Sequence, residues 1–174
     1  ALSTEEQLAR LREADIVIVS FGKSGRTWLR VMLSHLFRIR HDLPESALLG
    51  FDNFHSMNPA VPKIFFTHDN YIKDYTGEPA SKAPFYDKPV VLMARDPRDV
   101  AVSQFFQWKF RLKPNKVILN NYPSREDDIS LFDFVTGDND GGSLRAVVDY
   151  LNTWAAEREH IRRFHLLRYE DLRA

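Results

Sequence analysis

The junction at residues 16 to 27 constrains this chain most: four consecutive β-branched residues, Ile16, Val17, Ile18 and Val19, run straight into SFGKSGRT. An unbroken β-branched run suits a strand covered on both faces, hence a parallel sheet with helices on each side. Beyond the loop, Trp28, Leu29, Val31, Met32, Leu33, Leu36 and Phe37 recur at helical intervals as far as about Arg40. A loop between such a strand and helix turns backbone N–H groups and the positive end of the helix dipole toward whatever it holds. Gly22 and Gly25 let that backbone approach closely, Lys23 and Arg26 add charge, and Ser24 and Thr27 add hydroxyl donors. On its own the loop is either an anion cradle or a glycine turn with helix caps. The spacing is not the G-x-x-x-x-G-K-[ST] of nucleoside triphosphatases, since only Lys23 separates Gly22 from Ser24.

The same grammar recurs downstream. KIFFTH (63 to 68) and PVVLMAR (89 to 95) are short apolar runs ending in a chargeable residue, and FHLLRY is a last strand ending at Tyr169. STEE at residues 3 to 6, before Leu8 and Leu11, predicts a short helix capped by Ser3 or Thr4. DPRDVAVSQFFQWKF predicts a helix with Asp96 as N-cap and Pro97 at its first position. LRAVVDYLNTWAAEREHI predicts an amphipathic one, and residues 113 to 143 a long excursion around ISLFDFV. Strands alternating with helices give an α/β fold: a doubly wound parallel sheet with helices on both faces and a P-loop-like strand-loop-helix at its start. Ligands of such sheets sit beyond the carboxyl ends of the strands. Lys23 with Ser24, then His68, Arg95 and Tyr169 occupy those ends.

Composition narrows the class. At 174 residues, 44% of them apolar, the expectation is a single domain over 1–174. Lys plus Arg equals Asp plus Glu at 24 each, so no global field favours nucleic acid or an anionic membrane, and an anion site must be local. The absence of cysteine removes disulfides, thiolate zinc sites and a cysteine nucleophile. No apolar stretch reaches the roughly 20 residues of a membrane span, and the polar start has no signal-peptide core, so a cytoplasmic location is expected.

Arg95, Arg98 and Ser103 form a second polar cluster, running from a strand end into the next helix. They suit a phosphate, or else Arg95 pairs with Asp96 or Asp99 and Ser103 faces solvent. His68 ends its strand, where an imidazole with an ordinary pKa of about 6.5 suits proton transfer. His35, His41, His55, His160 and His165 lack that placement, and no histidine spacing marks a metal site. Of the aromatics, Phe105, Phe106, Trp108 and Trp154 suit the core, while Trp28, one residue past Thr27, is placed for a purine to stack on it.

These segments together resemble the sulfotransferases that use 3′-phosphoadenosine 5′-phosphosulfate. FGKSGRTWLR resembles their 5′-phosphosulfate loop, ARDPRDVAVSQ their 3′-phosphate motif, FFTHDN the segment holding the base, and LLRYEDL the tyrosine-bearing strand near the adenosine. The resemblance spans residues 15 to 173. It implies that Lys23, Ser24, Gly25, Arg26 and Thr27 cradle the 5′-phosphosulfate and that Trp28 stacks on the adenine. It implies further that Arg95 and Ser103 bind the 3′-phosphate, that Tyr169 lies near the nucleoside, and that His68 is the base, with Lys23, His68 and Ser103 as the catalytic residues. With Lys23 stabilising the leaving phosphate, in-line sulfuryl transfer to a hydroxyl or amine of a small-molecule or glycan acceptor follows, without metal.

Two features depart from the family pattern: Gly22 replaces a common proline, and Arg26 a common threonine. The family also continues past the YEDL strand into a glycine-rich segment that closes over the 3′-phosphate, and the expectation is a domain without that segment. A non-catalytic nucleotide-binding relative and a small ATP-dependent phosphotransferase are the competing readings. Residues 41 to 62, 70 to 88 and 113 to 143 are expected to wall the acceptor pocket, with Phe51, Phe54, Met57, Tyr71, Tyr75, Phe85 and Tyr86 hinting at an apolar or ring-bearing acceptor.

Overall fold

A computed structural model describes residues 3–70, 76–119, 122–124, 126–139 and 141–173. Its centre is a four-stranded, wholly parallel sheet: β1 (Ile16–Val19), β2 (Ile64–Thr67), β3 (Pro89–Ala94) and β4 (Arg163–Arg168), in the order β2-β1-β3-β4. The register sets Val19 beside Thr67 and Ala94 beside Arg168, so all four carboxyl ends share one edge. From β1 the chain goes first to one side and later to the other, which makes the edge beyond β1 and β3 the topological switch point.

The β-branched run of β1 works as a two-faced strand. Val17 and Val19 join Leu11, Phe65, Val90, Leu92 and Trp154 in one buried cluster. Ile18 joins Leu29, Leu49, Phe54, Ile64 and Met93 in another. The first face is covered by α1 (Thr4–Glu13) and, later in the chain, the helix Leu144–Glu157; the second by α2 (Arg26–His41) and α3 (Asn53–Met57). Burying both faces of a strand is the pattern that four successive apolar residues call for. Ser3 caps α1 in a reciprocal capping box with Glu6.

Asp96 caps α4 (Pro97–Phe110) by accepting from the Arg98 amide, with Pro97 at the first position where a missing N–H costs nothing. The excursion after α4 is more ordered than its polar composition suggests. It contains α5 (Pro114–Leu119) and α6 (Leu131–Thr136), because Phe134 and Val117 bury against Phe105 and Trp108 of α4. The last helix, α7 (Leu144–Glu157), begins at its Ser143 cap. β4 ends at Arg168, one residue short of the expected FHLLRY strand, and Tyr169 opens a 3-10 turn, Tyr169–Arg173. Trp108 and Trp154 are core as expected, while Phe106 is half exposed. Phe54 and Phe85, expected to wall an acceptor pocket, are core residues instead. Tyr71 and Tyr75 lie outside the described residues.

Candidate active site

Residues 20 to 25 leave β1 and turn sharply at two left-handed positions, Lys23 at φ 67° and Gly25 at φ 95°. A Cβ at Gly25 would lie 2.4 Å from the Tyr169 ring, so only glycine serves both the backbone angle and the contact. Lys23 has no such freedom. A non-glycine residue held left-handed stores strain of the kind that concentrates at functional loops. Gly22 answers a different need, since a Cβ there would meet the Gln104 side-chain amide at 2.5 Å. Ser24 is buried and Thr27 exposed.

The Lys23 ammonium donates to Gln107 Oε1 at 3.2 Å, and burial, with the Arg111 and Arg95 charges, lowers its pKa. Ser103, partly buried, lies one helical turn before Gln107 on the same face of α4, and Gln104 and Gln107 bring that helix against the loop. Gln107 and Gln104 were not distinguishable in the sequence. Both are ordinary helix formers on a helix whose loop-facing side only the fold defines.

Arg95, at the end of β3, lies beside the switch point. One Nη donates to the Lys23 carbonyl at 3.3 Å, the other pairs with Asp99 at 3.2 Å, and the guanidinium sits over the Tyr169 ring at 4.6 Å. Its Nε is buried without a partner. Tyr169 also approaches Trp28, ring centroids 5.7 Å apart, and Trp28 is 43% exposed, which leaves an open aromatic surface at the loop's mouth. Arg98 is not part of this group: it turns outward and pairs with its own cap, Asp96, at 2.6 Å.

His68 completes the edge. Its Nδ1 is 2.7 Å from the Ser20 carbonyl, which fixes the proton on Nδ1, and its Nε2 accepts from Arg26 Nη2 at 2.8 Å. Burial, reinforced by the Arg26 charge, pushes the imidazole pKa down to about 4. Arg26 is itself pushed down to about 10, chiefly by burial, and its Nη1 is buried with no hydrogen-bond partner. Behind them Tyr150 of α7 donates to the His68 carbonyl at 3.3 Å, and burial raises its phenol pKa well above the ordinary value. Asp69, left-handed at φ 67°, holds the Lys82 ammonium at 2.7 Å in a fully buried pair. Tyr150 and Lys82 carried no signal in the sequence, one being an apolar-spaced helix residue and the other a lysine in a loop.

Lys23, Arg26, Trp28, His68, Arg95 and Tyr169 thus meet at one edge through five contacts that tie the loop to the strand ends, with Gly25 against the Tyr169 ring and Ser24, between Lys23 and Gly25 in sequence, buried. The arrangement suits an anion with a ring attached: guanidinium nitrogens without partners, a helix N-terminus, and a half-exposed indole. Among the described residues, no group of three or more His, Cys, Asp or Glu side chains is placed to hold a metal ion, and no helix is long and apolar enough to cross a membrane.

The chain is 33% identical over 101 residues to "Cytosolic sulfotransferase 3" of Arabidopsis thaliana, a match covering 54% of this chain and 30% of that protein's length. The sequence profile of the sulfotransferase domain matches residues 13–174. On that match the chain belongs to the sulfotransferase domain family.

Proposed function

We propose that this chain binds 3′-phosphoadenosine 5′-phosphosulfate at the switch-point edge and serves transfer of its sulfuryl group to a hydroxyl or amine of a small-molecule or glycan acceptor. The observation that carries the reading is the pair of buried guanidinium nitrogens, Arg26 Nη1 and Arg95 Nε, that lack partners on either side of the glycine loop. Buried donors are costly unless something accepts from them. A ligand with two separate anionic groups answers both.

The bound donor supplies an activated sulfuryl group on a phosphate leaving group. Lys23 sets a positive charge where negative charge gathers on that phosphate, and Ser24, Thr27 and the backbone at Gly25 add donors. Arg95 and Ser103 hold the 3′-phosphate, with Trp28 and Tyr169 against the nucleoside. His68, through Nε2, takes the acceptor's proton, a role worth roughly 100- to 10,000-fold. The relative's name places that protein in the cytosol, and we extend the same location to this one.

One observation favours a second reading, binding without transfer: the base nitrogen of His68 is occupied by Arg26. Calorimetry with 3′-phosphoadenosine 5′-phosphate and with ATP, each with and without magnesium, tests the nucleotide; metal-dependent preference for ATP would overturn the reading in favour of a phosphotransferase. Transfer of labelled sulfate to a panel of phenols, alcohols and sugars then separates the enzyme from the binding module.

A further inference from the structure

His68 cannot act as a base in the arrangement observed. With the Nδ1 proton donated to the Ser20 carbonyl, Nε2 holds the basic lone pair, and that lone pair already accepts from Arg26. A guanidinium cannot take a proton in its place. Arg26 is also undersatisfied: Nη1 is buried without a partner, and no ion pair joins it to a carboxylate among the described residues. The nearby Asp69 is committed to Lys82, and Tyr150 gives its proton to the His68 carbonyl. Arg26 is the first residue of α2, directly after the left-handed Gly25, so its side chain starts from the anion cradle and ends on the imidazole.

We propose that Arg26 is a positioning residue that couples the loop to His68: its guanidinium caps Nε2, and an anion in the loop draws it away, opening the base only when the donor is in place. The inference rests on the sulfotransferase reading. An anionic oxygen adds the attraction of opposite charges, and a phosphate or sulfate group can accept two parallel N–H bonds from the guanidinium fork, so it outcompetes the single neutral nitrogen of the imidazole. Withdrawing the cation also removes the charge that lowers the affinity of His68 for protons. Opening is thereby ordered, donor first.

The test is a two-bond 1H–15N correlation spectrum of the full chain labelled in histidine, with and without 3′-phosphoadenosine 5′-phosphosulfate and no acceptor, alongside calorimetry of the same mixture. His68→Gln assigns the signal. Donor binding is expected to move the His68 Nε2 resonance downfield, to where the Arg26→Thr variant shows it without donor, and the variant's own donor-induced shift is expected to be several-fold smaller. Binding with an unmoved wild-type resonance overturns the coupling and leaves the sulfotransferase reading standing. An equal shift in Arg26→Thr overturns it too, because the change then does not pass through Arg26. Absence of both heat and shift overturns both proposals. Should Arg26→Thr fail to fold, the wild-type spectra decide alone.

Discussion

Arg26 Nη2 lies 2.8 Å from His68 Nε2, so a buried cation donates to a neutral imidazole across the carboxyl ends of β1 and β2. The imidazole pKa of about 4 in the folded chain, against about 6.5 when unfolded, means that the unfolded state binds the proton first as pH falls. Above pH 6.5 the two states agree and His68 costs nothing. Between 6.5 and 4 stability is lost, by up to about 3 kcal/mol at about 1.4 kcal/mol per unit. Urea unfolding of the wild type and His68→Gln at pH 7 and pH 4 should therefore show a steeper acid loss in the wild type. Parallel losses would mean that His68 is protonated in the folded state.

Gly25 should tolerate no side chain. Gly25→Ala places a Cβ 2.4 Å from the Tyr169 ring at a backbone angle that costs an L-residue about 1–2 kcal/mol. Tyr169 must move, and with it the ring under Arg95. The expected result is a fall in stability of about 2 kcal/mol by denaturant midpoint, together with weakened binding of 3′-phosphoadenosine 5′-phosphate. Gly22→Ala meets only the flexible end of Gln104 and is expected to be milder on both measurements.

Much of this edge was legible in the sequence because each functional residue ends an apolar run: Lys23 after IVIV, His68 after IFFT, Arg95 after VVLMA. A strand's end is a covalent fact, and parallel pairing carries all such ends to one side. What faces the loop from α4 and α7 was not legible, since Gln104, Gln107 and Tyr150 depend on how those helices rotate against the sheet. Arg26 is the instructive case. Its charge was plain and its partner was not, because His68 is 42 residues away and meets it only through the β1–β2 register. Loop aromatics misled for the converse reason: Phe54 and Phe85 fall in polar surroundings in the sequence yet fill the two faces of the sheet.

The Asp69–Lys82 pair beneath His68 should behave as a buried ion pair whose halves cannot be removed singly. Lys82→Met leaves a carboxylate without its ammonium at a fully buried site and is expected to cost about 3–5 kcal/mol. Asp69→Asn/Lys82→Met removes both charges, keeps a residue that accepts a left-handed backbone at position 69, and should recover most of the loss. Thermal melts of the two variants check this. Equal losses would show that the pair's packing matters rather than its charge.

Arg95, just past β3, and Arg98, in the first turn of α4, stand three residues apart, and only one of them should matter for the nucleotide. Arg95 touches the Lys23 carbonyl, Asp99 and the Tyr169 ring, and keeps one buried nitrogen without a partner. Arg98 is 80% exposed and spends its guanidinium on Asp96. Surface pairs of that kind contribute little, so Arg98→Ala is expected to change the affinity for 3′-phosphoadenosine 5′-phosphate by less than about twofold. Arg95→Ala removes a charge-assisted bond to the proposed 3′-phosphate and should weaken binding about 10- to 100-fold. Adenosine 5′-phosphosulfate, which lacks the 3′-phosphate, provides the control: the Arg95 effect should shrink with that ligand if the contact is to the 3′-phosphate. An undiminished effect would instead mean that Arg95 acts by bracing Lys23 and Tyr169, and the 3′-phosphate would then have to be sought elsewhere along α4.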